Sequence, residues 1–444
     1  MDGSVTGPGL VASLRRRIGG VAHGDRRVVT IAMSVVWTTG LTSVLGLAFW
    51  ALVARAYAVD VVGEAAGAVG AMTLIATIAM LGLGTLLIDR WGRLESAQRR
   101  SLMRGSLIVS GCAGVLGALI VGPILAMTSS TLSDLSSPLT LSLLALATGL
   151  SAAGFVLDQA LLTRGGGGLQ VERNVVASVV KLAAVVIFVL LLPATINAVL
   201  LAWTLGLAVS MGYVAVRVRG SVGRLSGQDV REVIALRRSA SGHHVLNLTL
   251  QAPFLLLPVV AAMVLTSDEN AFMSTARLVS GLVYTVPFAL TVGLFVVAQG
   301  QVADLLARMR RSIPLGLVAA SAAVVFLLVF GGPILRLFGP QYRDESYLPM
   351  VILSLAAVPL VLKDHYVALR RVQSRLLSAA RLVLVGTVLE VVAAAVGGQR
   401  GGPVGLSIAW TLAVVVEGVF MGIPVCREVW SRSRGGSPPT AEST

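Results

Sequence analysis

The chain has 444 residues, 56% of them apolar, and a mean hydropathy of +0.87, values that exclude an ordinary soluble domain. Its net charge is +14, from 35 Lys and Arg against 21 Asp and Glu. Such a balance raises nucleic acid as a partner. The cations, however, are distributed as membrane topology requires, and nucleic acid is set aside on that ground.

Roughly twelve apolar segments of about twenty residues follow one another, each long enough to cross a bilayer as a helix. They span 31–54, 64–88, 105–127, 139–162, 174–193, 196–216, 243–265, 271–297, 314–335, 348–369, 378–397 and 404–426. In lipid every backbone polar group must be satisfied within its own segment, so helices are the expected form. The first run is too long for the apolar region of a cleavable signal. Cys112 and Cys426 map near inner helix ends, and no disulfide is expected between them.

The arginines fall in alternate gaps. Arg15, Arg16, Arg17, Arg26 and Arg27 precede the first segment, and Arg90, Arg93, Arg99, Arg100 and Arg104 follow the second. Arg164 and Arg173, then Arg217 to Arg238, Arg308 to Arg311, and Arg370 to Arg381 occupy the later gaps of the same set, with Arg427, Arg432 and Arg434 at the end. The intervening gaps hold only Arg55, Arg336, Arg343 and Arg400. The positive-inside rule then puts both termini in the cytoplasm.

This gives a cytoplasmic N-terminal tail (1–30), a first lobe of six spans (31–216), a cytoplasmic linker (217–242), a second lobe of six spans (243–426) and a disordered cytoplasmic tail (427–444). Gln228 to Arg238 in the linker reads either as an amphipathic helix on the inner surface or as a solvated connection. The halves echo each other. Leu201-Ala202-Trp203-Thr204-Leu205 is matched by Ile408-Ala409-Trp410-Thr411-Leu412, and Asp158 with Arg164 by Asp364 with Arg370. Six spans restore orientation, so the expected fold is all-α and polytopic, with two six-helix lobes related by a pseudo-two-fold along the membrane normal, facing across a central cleft.

Several chemistries are missing. Lys181 and Lys363 are the only lysines, preceded by Val180 and Leu362, so there is no Gly-Lys-Ser/Thr phosphate loop and no ATP site. No His-Glu-x-x-His or Cys-x-x-Cys spacing supports a metal, and no cofactor is expected. His243 and His244 read as an interfacial pair at a helix mouth. The outer acids Asp60, Asp134, Asp268, Glu269, Asp344 and Glu345 form no paired constellation for an enzyme of glycan assembly.

The remaining signal is charge inside the bilayer, where an ionisable residue costs at least about 2.5–3.5 kcal/mol and faces a cavity or a partner. Lys181 lies about 10 Å from the inner face, with Asp158 at similar depth on the preceding helix; they read as a neutralised pair or as cavity groups. Arg277 sits about 10 Å from the outer face, and Glu390 is deep enough to pair with it. Glu417 lies near the midplane with no evident partner, which makes it the first candidate proton carrier. Lys363, Asp364 and His365 are adjacent on the tenth segment, and since helical neighbours point apart, one of them should face the cleft. Arg55 reads as a surface partner of Asp60 and Glu64, or as a cation for a phosphate. Trp37, Thr38, Thr39, Asn247, Gln251 and Tyr284 serve as interhelical glue or touch sugar hydroxyls.

Five stretches carry a family likeness. Leu52-Val53-Ala54-Arg55-Ala56-Tyr57-Ala58-Val59-Asp60-Val61-Val62-Gly63-Glu64, followed by Leu81-Gly82-Leu83-Gly84, resembles the first junction of polysaccharide flippases of the O-antigen type, in the multidrug/oligosaccharidyl-lipid/polysaccharide (MOP) exporter superfamily. Leu335 to Tyr342, Ser274-Thr275-Ala276-Arg277-Leu278 and Gly402 to Trp410 are similar to later parts of that family. The seventh segment holds no acid where the family often has one. The resemblance implies a MATE-like fold and a non-enzymatic flippase in the bacterial cytoplasmic membrane. Its substrate would be an undecaprenyl-diphosphate-linked oligosaccharide for surface polysaccharide biosynthesis, carried by alternating access. Membrane lipids and other polysaccharide-assembly membrane proteins would be its partners. On this reading Arg277, Lys363, Lys181 and Arg55 are the diphosphate candidates, and Glu417, Glu390, Asp364 and Asp158 the ion-coupling candidates. A cation-coupled drug exporter of the same fold, and a peptidoglycan-precursor flippase, are the alternatives.

Overall fold

A computed structural model of the chain describes residues 40, 42–165, 167–218, 227–297 and 302–431. The expected N-terminal tail, Trp37, Thr38, Thr39, the side chains of Arg164 and His243, and the tail beyond 431 lie outside the described residues. Among those described, every regular element is helical: α1 (Thr42–Ala56), α2 (Val59–Ala79), α3 (Leu83–Trp91), α4 (Ser96–Thr128), a short 3₁₀ turn (Ser130–Ser136), α5 (Pro138–Gly165), α6 (Gly168–Leu191), α7 (Ile196–Arg217), α8 (Gly227–Ala235), α9 (Arg237–Val264), α10 (Ser267–Val297), α11 (Val302–Arg336), α12 (Pro340–Leu355), α13 (Ala357–Val372) and α14 (Leu376–Ser431).

Nine of the described helical stretches are long and apolar enough to cross a membrane. One, Leu377–Trp430, is two helices joined at Gly401 and Gly402, whose backbone angles are non-helical. With the shorter apolar α1 at the front and α10 between α9 and α11, the helices fall in register with the expected segments. The chain is a multi-pass membrane protein. Apolar side chains such as Leu190, Val318, Val385 and Phe420 stand exposed on α6, α11 and the two arms of α14, where lipid tails would cover them.

Three helices break where local chemistry demands it. Pro359 has no N–H and its ring clashes with the carbonyl four residues back, which separates α12 from α13 at Ala356. Carbonyls of the turn before the break are recruited by neighbours: Tyr284 donates its hydroxyl to Leu353 (2.6 Å) and Thr411 donates to Ile352 (3.2 Å). Leu81 and Gly82, at φ 51° and 73°, turn the chain between α2 and α3. The carbonyl of Ile78, just before that turn, meets His244 Nε2 at 3.0 Å. His244 therefore joins α9 to α2. Cys112 and Cys426 are both free and exposed, and Cys112 sits mid-way along α4 rather than at its inner end.

Helices α4 to α7 pack on one another and on α2, and α9 to α14 form a second packed group. The groups meet where α2 lies against α9 and α10. Approach there is close: a Cβ on Gly63 would overlap the Ser267 carbonyl, and one on Gly70 would come within 2.8 Å of the Pro258 ring. In the linker, α8 docks on α4. Asp229, 3% exposed, takes a two-pronged ion pair from Arg104 (3.0 and 3.1 Å) and a hydrogen bond from Ser101 (2.6 Å).

Candidate functional site

One stripe of α10 organises the interior. Ser274, Arg277, Gly281, Tyr284 and Thr285 recur at helical spacing on one face. They line two chambers set one after the other along that helix. The first, of about 130 Å³, lies between the two helical groups, against Trp50 of α1, Val69 and Thr73 of α2 and Pro258 of α9. The second, of about 310 Å³, lies further along α10, among α9, α10 and α14, lined by Phe254, Leu257, Gly281, Tyr284, Thr285 and Trp410. Arg277 and Phe254 line both, so the guanidinium belongs to the neck between them. The Nε of Arg277 is buried and has no hydrogen-bond partner among the described residues, and no carboxylate pairs with this arginine there. Among the described residues no acid lines either chamber.

The other expected cavity cations are engaged elsewhere. Lys363, 5% exposed, donates to Glu390 Oε1 (3.0 Å) and to Glu417 Oε2 (2.6 Å), uniting α13 with both arms of α14. This overturns an Arg277–Glu390 pair and gives Glu417 the partner it lacked in the sequence. Two carboxylates against one ammonium leave one negative charge in excess. Glu390 Oε2 and Glu417 Oε1 are both buried without a partner, so the cluster has room in its bonding for one proton.

Lys181 is not paired with Asp158. Its ammonium stands 4.1 Å from the centre of the Trp203 ring and 5.1 Å from that of Phe49. An ammonium over ring faces is held by their quadrupoles. Asp158 instead receives both prongs of Arg173 (2.8 and 2.7 Å). Arg173, counted from the sequence as a gap residue, is 3% exposed inside α6. The Arg–carboxylate fork outcompetes a more distant lysine because its geometry matches two oxygens at once. Arg55 pairs with neither Asp60 nor Glu64. It donates to the carbonyls of Leu337 (2.6 Å) and Arg336 (2.9 Å), capping the end of α11. Asp364 is half-buried and makes no hydrogen bond or ion pair among the described residues. Its neighbour His365 bridges Ser312 and the Val361 carbonyl, at 2.6 Å each.

Trp50, Phe254 and Trp410 were not singled out as site residues from the sequence. Trp410 was visible only as half of the repeat, and its counterpart Trp203 packs on Phe49 and Trp50, while Trp410 itself packs on Tyr284. Each repeat tryptophan thus shares its surroundings with a half-buried cation: Lys181 stands over the Trp203 ring, and Arg277 lines the second chamber together with Trp410.

No protein-family model and no curated protein matches the chain. Solved structures do. An inward-facing multidrug resistance MATE family transporter of the MOP superfamily aligns over 92% of this chain and 99% of its own, at 15% identity and a TM-score of 0.66. An outward-facing structure described in the same terms aligns over 92% and 96%, at 15% identity and 0.55. A MOP superfamily transporter from Pyrococcus furiosus, whose binding pocket is described as of reversed polarity, aligns over 93% and 97%, at 14% identity and 0.62. At these identities the likeness is one of architecture: the chain has the fold of the MATE transporters of the MOP superfamily.

Proposed function

We propose that this protein is a flippase that carries a polyprenyl-diphosphate-linked oligosaccharide across the bacterial cytoplasmic membrane by alternating access, both termini facing the cytoplasm. The observation that carries this reading is Arg277: a cation without a counter-charge among the described residues, at the neck of two chambers whose described linings hold no acid. An arginine in that setting calls for an anion, and its forked donors suit a phosphate. The same lining argues against the drug-exporter alternative, since a cationic drug needs acids and Glu390 and Glu417 are tied to Lys363. The reversed pocket polarity described for the Pyrococcus transporter supports the idea that this architecture tolerates pockets of opposite charge.

The Lys363–Glu390–Glu417 cluster is our candidate for energy coupling, one proton entering and leaving with the excess charge. Asp364 is retained as a secondary candidate. Asp158, forked to Arg173, is not. By the positive-inside distribution the α1–α2 and α9–α10 turns face outward, so the tight packing of Gly63 on Ser267 seals the outer side.

Reconstitution tests the reading. In proteoliposomes the protein should move a fluorescent undecaprenyl-diphosphate-linked disaccharide between leaflets and should ignore ethidium. Arg277→Ala should slow that movement about tenfold or more, the loss of one buried charge-assisted contact of about 1.5–3 kcal/mol. Arg277→Lys should recover part of it. Ethidium transport, with indifference to Arg277→Ala, would overturn the proposal.

A further inference from the structure

We infer that the second chamber is a glycosyl subsite, built to take the sugar residue bonded to the diphosphate while Arg277 holds the diphosphate at the neck. The inference rests on the flippase reading above. Volume comes first: about 310 Å³ is at the lower end of the roughly 300–1,000 Å³ of small-ligand pockets, enough for one sugar. The 130 Å³ chamber is smaller still.

The lining then selects the chemistry. Phe254, Tyr284 and Trp410 form a run of rings, with centroids 6.1 Å apart for the first pair and 6.3 Å for the second. Ring faces pack against the C–H faces of a pyranose, as they do against any apolar surface. The polar groups complement a polyol. Trp410, 1% exposed, has an indole N–H that is buried without an acceptor among the described residues, and the Arg277 Nε is in the same condition. Both are donors only. Tyr284 and Thr285 already give their hydroxyl protons to the carbonyls of Leu353 and Leu282, each at 2.6 Å, which leaves their oxygens as acceptors. A sugar offers both kinds of partner on one ring. A bare inorganic anion would leave the two acceptors and the rings unused, and a cationic drug would meet two donors and, among the described lining residues, no acid.

Gly281 supplies a clean test. It lines the chamber, and a Cβ placed there meets nothing within 4 Å, so a larger side chain fills space without disturbing the helix packing. The full-length protein in nanodiscs would be titrated with farnesyl diphosphate and with its N-acetylglucosaminyl and galactosyl diphosphate conjugates. The wild type should bind at least one conjugate about tenfold or more tighter than farnesyl diphosphate. Gly281→Leu should erase that preference and Trp410→Phe should reduce it several-fold. Equal affinity for all three probes in the wild type overturns the subsite, as does a preference that survives Gly281→Leu. Failure of the flippase reading has a different signature: farnesyl diphosphate binding that is absent, or that is insensitive to Arg277→Ala.

Discussion

Lys363 illustrates how a residue chosen for one role can hold another. Its charge reads from the sequence as a ligand for phosphate, yet in the fold it is the centre of a buried three-member cluster with Glu390 and Glu417. Removing it leaves two carboxylates at 1% and 5% exposure facing each other, and breaking a buried ion pair costs about 3–5 kcal/mol. Lys363→Ala should therefore unfold at clearly lower temperature in detergent, whereas the triple change Lys363→Met, Glu390→Gln and Glu417→Gln should regain most of the lost stability. If the cluster couples a proton, the triple variant should still bind substrate but should no longer respond to an imposed pH gradient in proteoliposomes. A second test concerns Asp158. Asp158→Asn strands the Arg173 guanidinium in α6, with an expected loss of about 3–5 kcal/mol, and Arg173→Lys should not substitute, because an ammonium cannot make the two parallel bonds of 2.8 and 2.7 Å. Equal thermal stability of Arg173→Lys and wild type would contradict that account. Charge at depth was legible in the sequence; the pairing was not. Segment spacing fixes how deep a residue lies, but whether Asp158 meets Lys181 or Arg173 depends on helix rotation, which an all-round apolar segment leaves undetermined.

At the level of elements, the sequence is read most securely where a single rule governs. Long apolar runs bounded by arginines became helices because lipid permits little else. Breaks are harder to see. Leu81-Gly82 stood out as a family-like motif rather than as a left-handed turn, and Pro359 lay unnoticed within the tenth segment, where it splits α12 from α13. The turn at Gly401 and Gly402 was visible as a gap, and its backbone explains why glycine stands there. Gly402, at φ 57° and ψ −147°, occupies a region that side chains other than hydrogen enter at about 1–3 kcal/mol. A Cβ there would also lie 2.8 Å from the Glu269 carboxylate. Gly402→Ala should lower the midpoint of thermal unfolding while leaving farnesyl diphosphate binding intact, since the turn is remote from Arg277. Unchanged stability would mean that the turn relaxes into another conformation.

For the whole molecule, the proposed alternating access requires that the two helical groups separate at one side while closing at the other, and on the proposed topology the following contacts lie on the outer side. Asn270 donates to the Gly63 carbonyl (2.7 Å), Thr131 to that of Leu265 (2.8 Å), and Arg55 to those of Arg336 and Leu337, all at the turns assigned to the outer face. Each bond is modest, about 0.5–1.5 kcal/mol net, so together they bias the equilibrium without freezing it. Arg55→Ala should thus raise the outward-facing population a few-fold, measurable from spin-label distances across the seam. A covalent bond should abolish it. A Cβ on Gly67 would lie 2.9 Å from that of Ala262 across the seam, and disulfide-linked residues have Cβ atoms about 3.5–4.5 Å apart, so a small outward shift of α2 accommodates a bridge. With the free Cys112 and Cys426 replaced by Ser, the Gly67→Cys, Ala262→Cys protein should cease transport on oxidation and recover it on reduction. Substrate offered from the inner side should still bind the oxidised form, because the lock touches neither Arg277 nor the second chamber. Transport that continues through the oxidised seam would show that the halves do not part along α2 and α9.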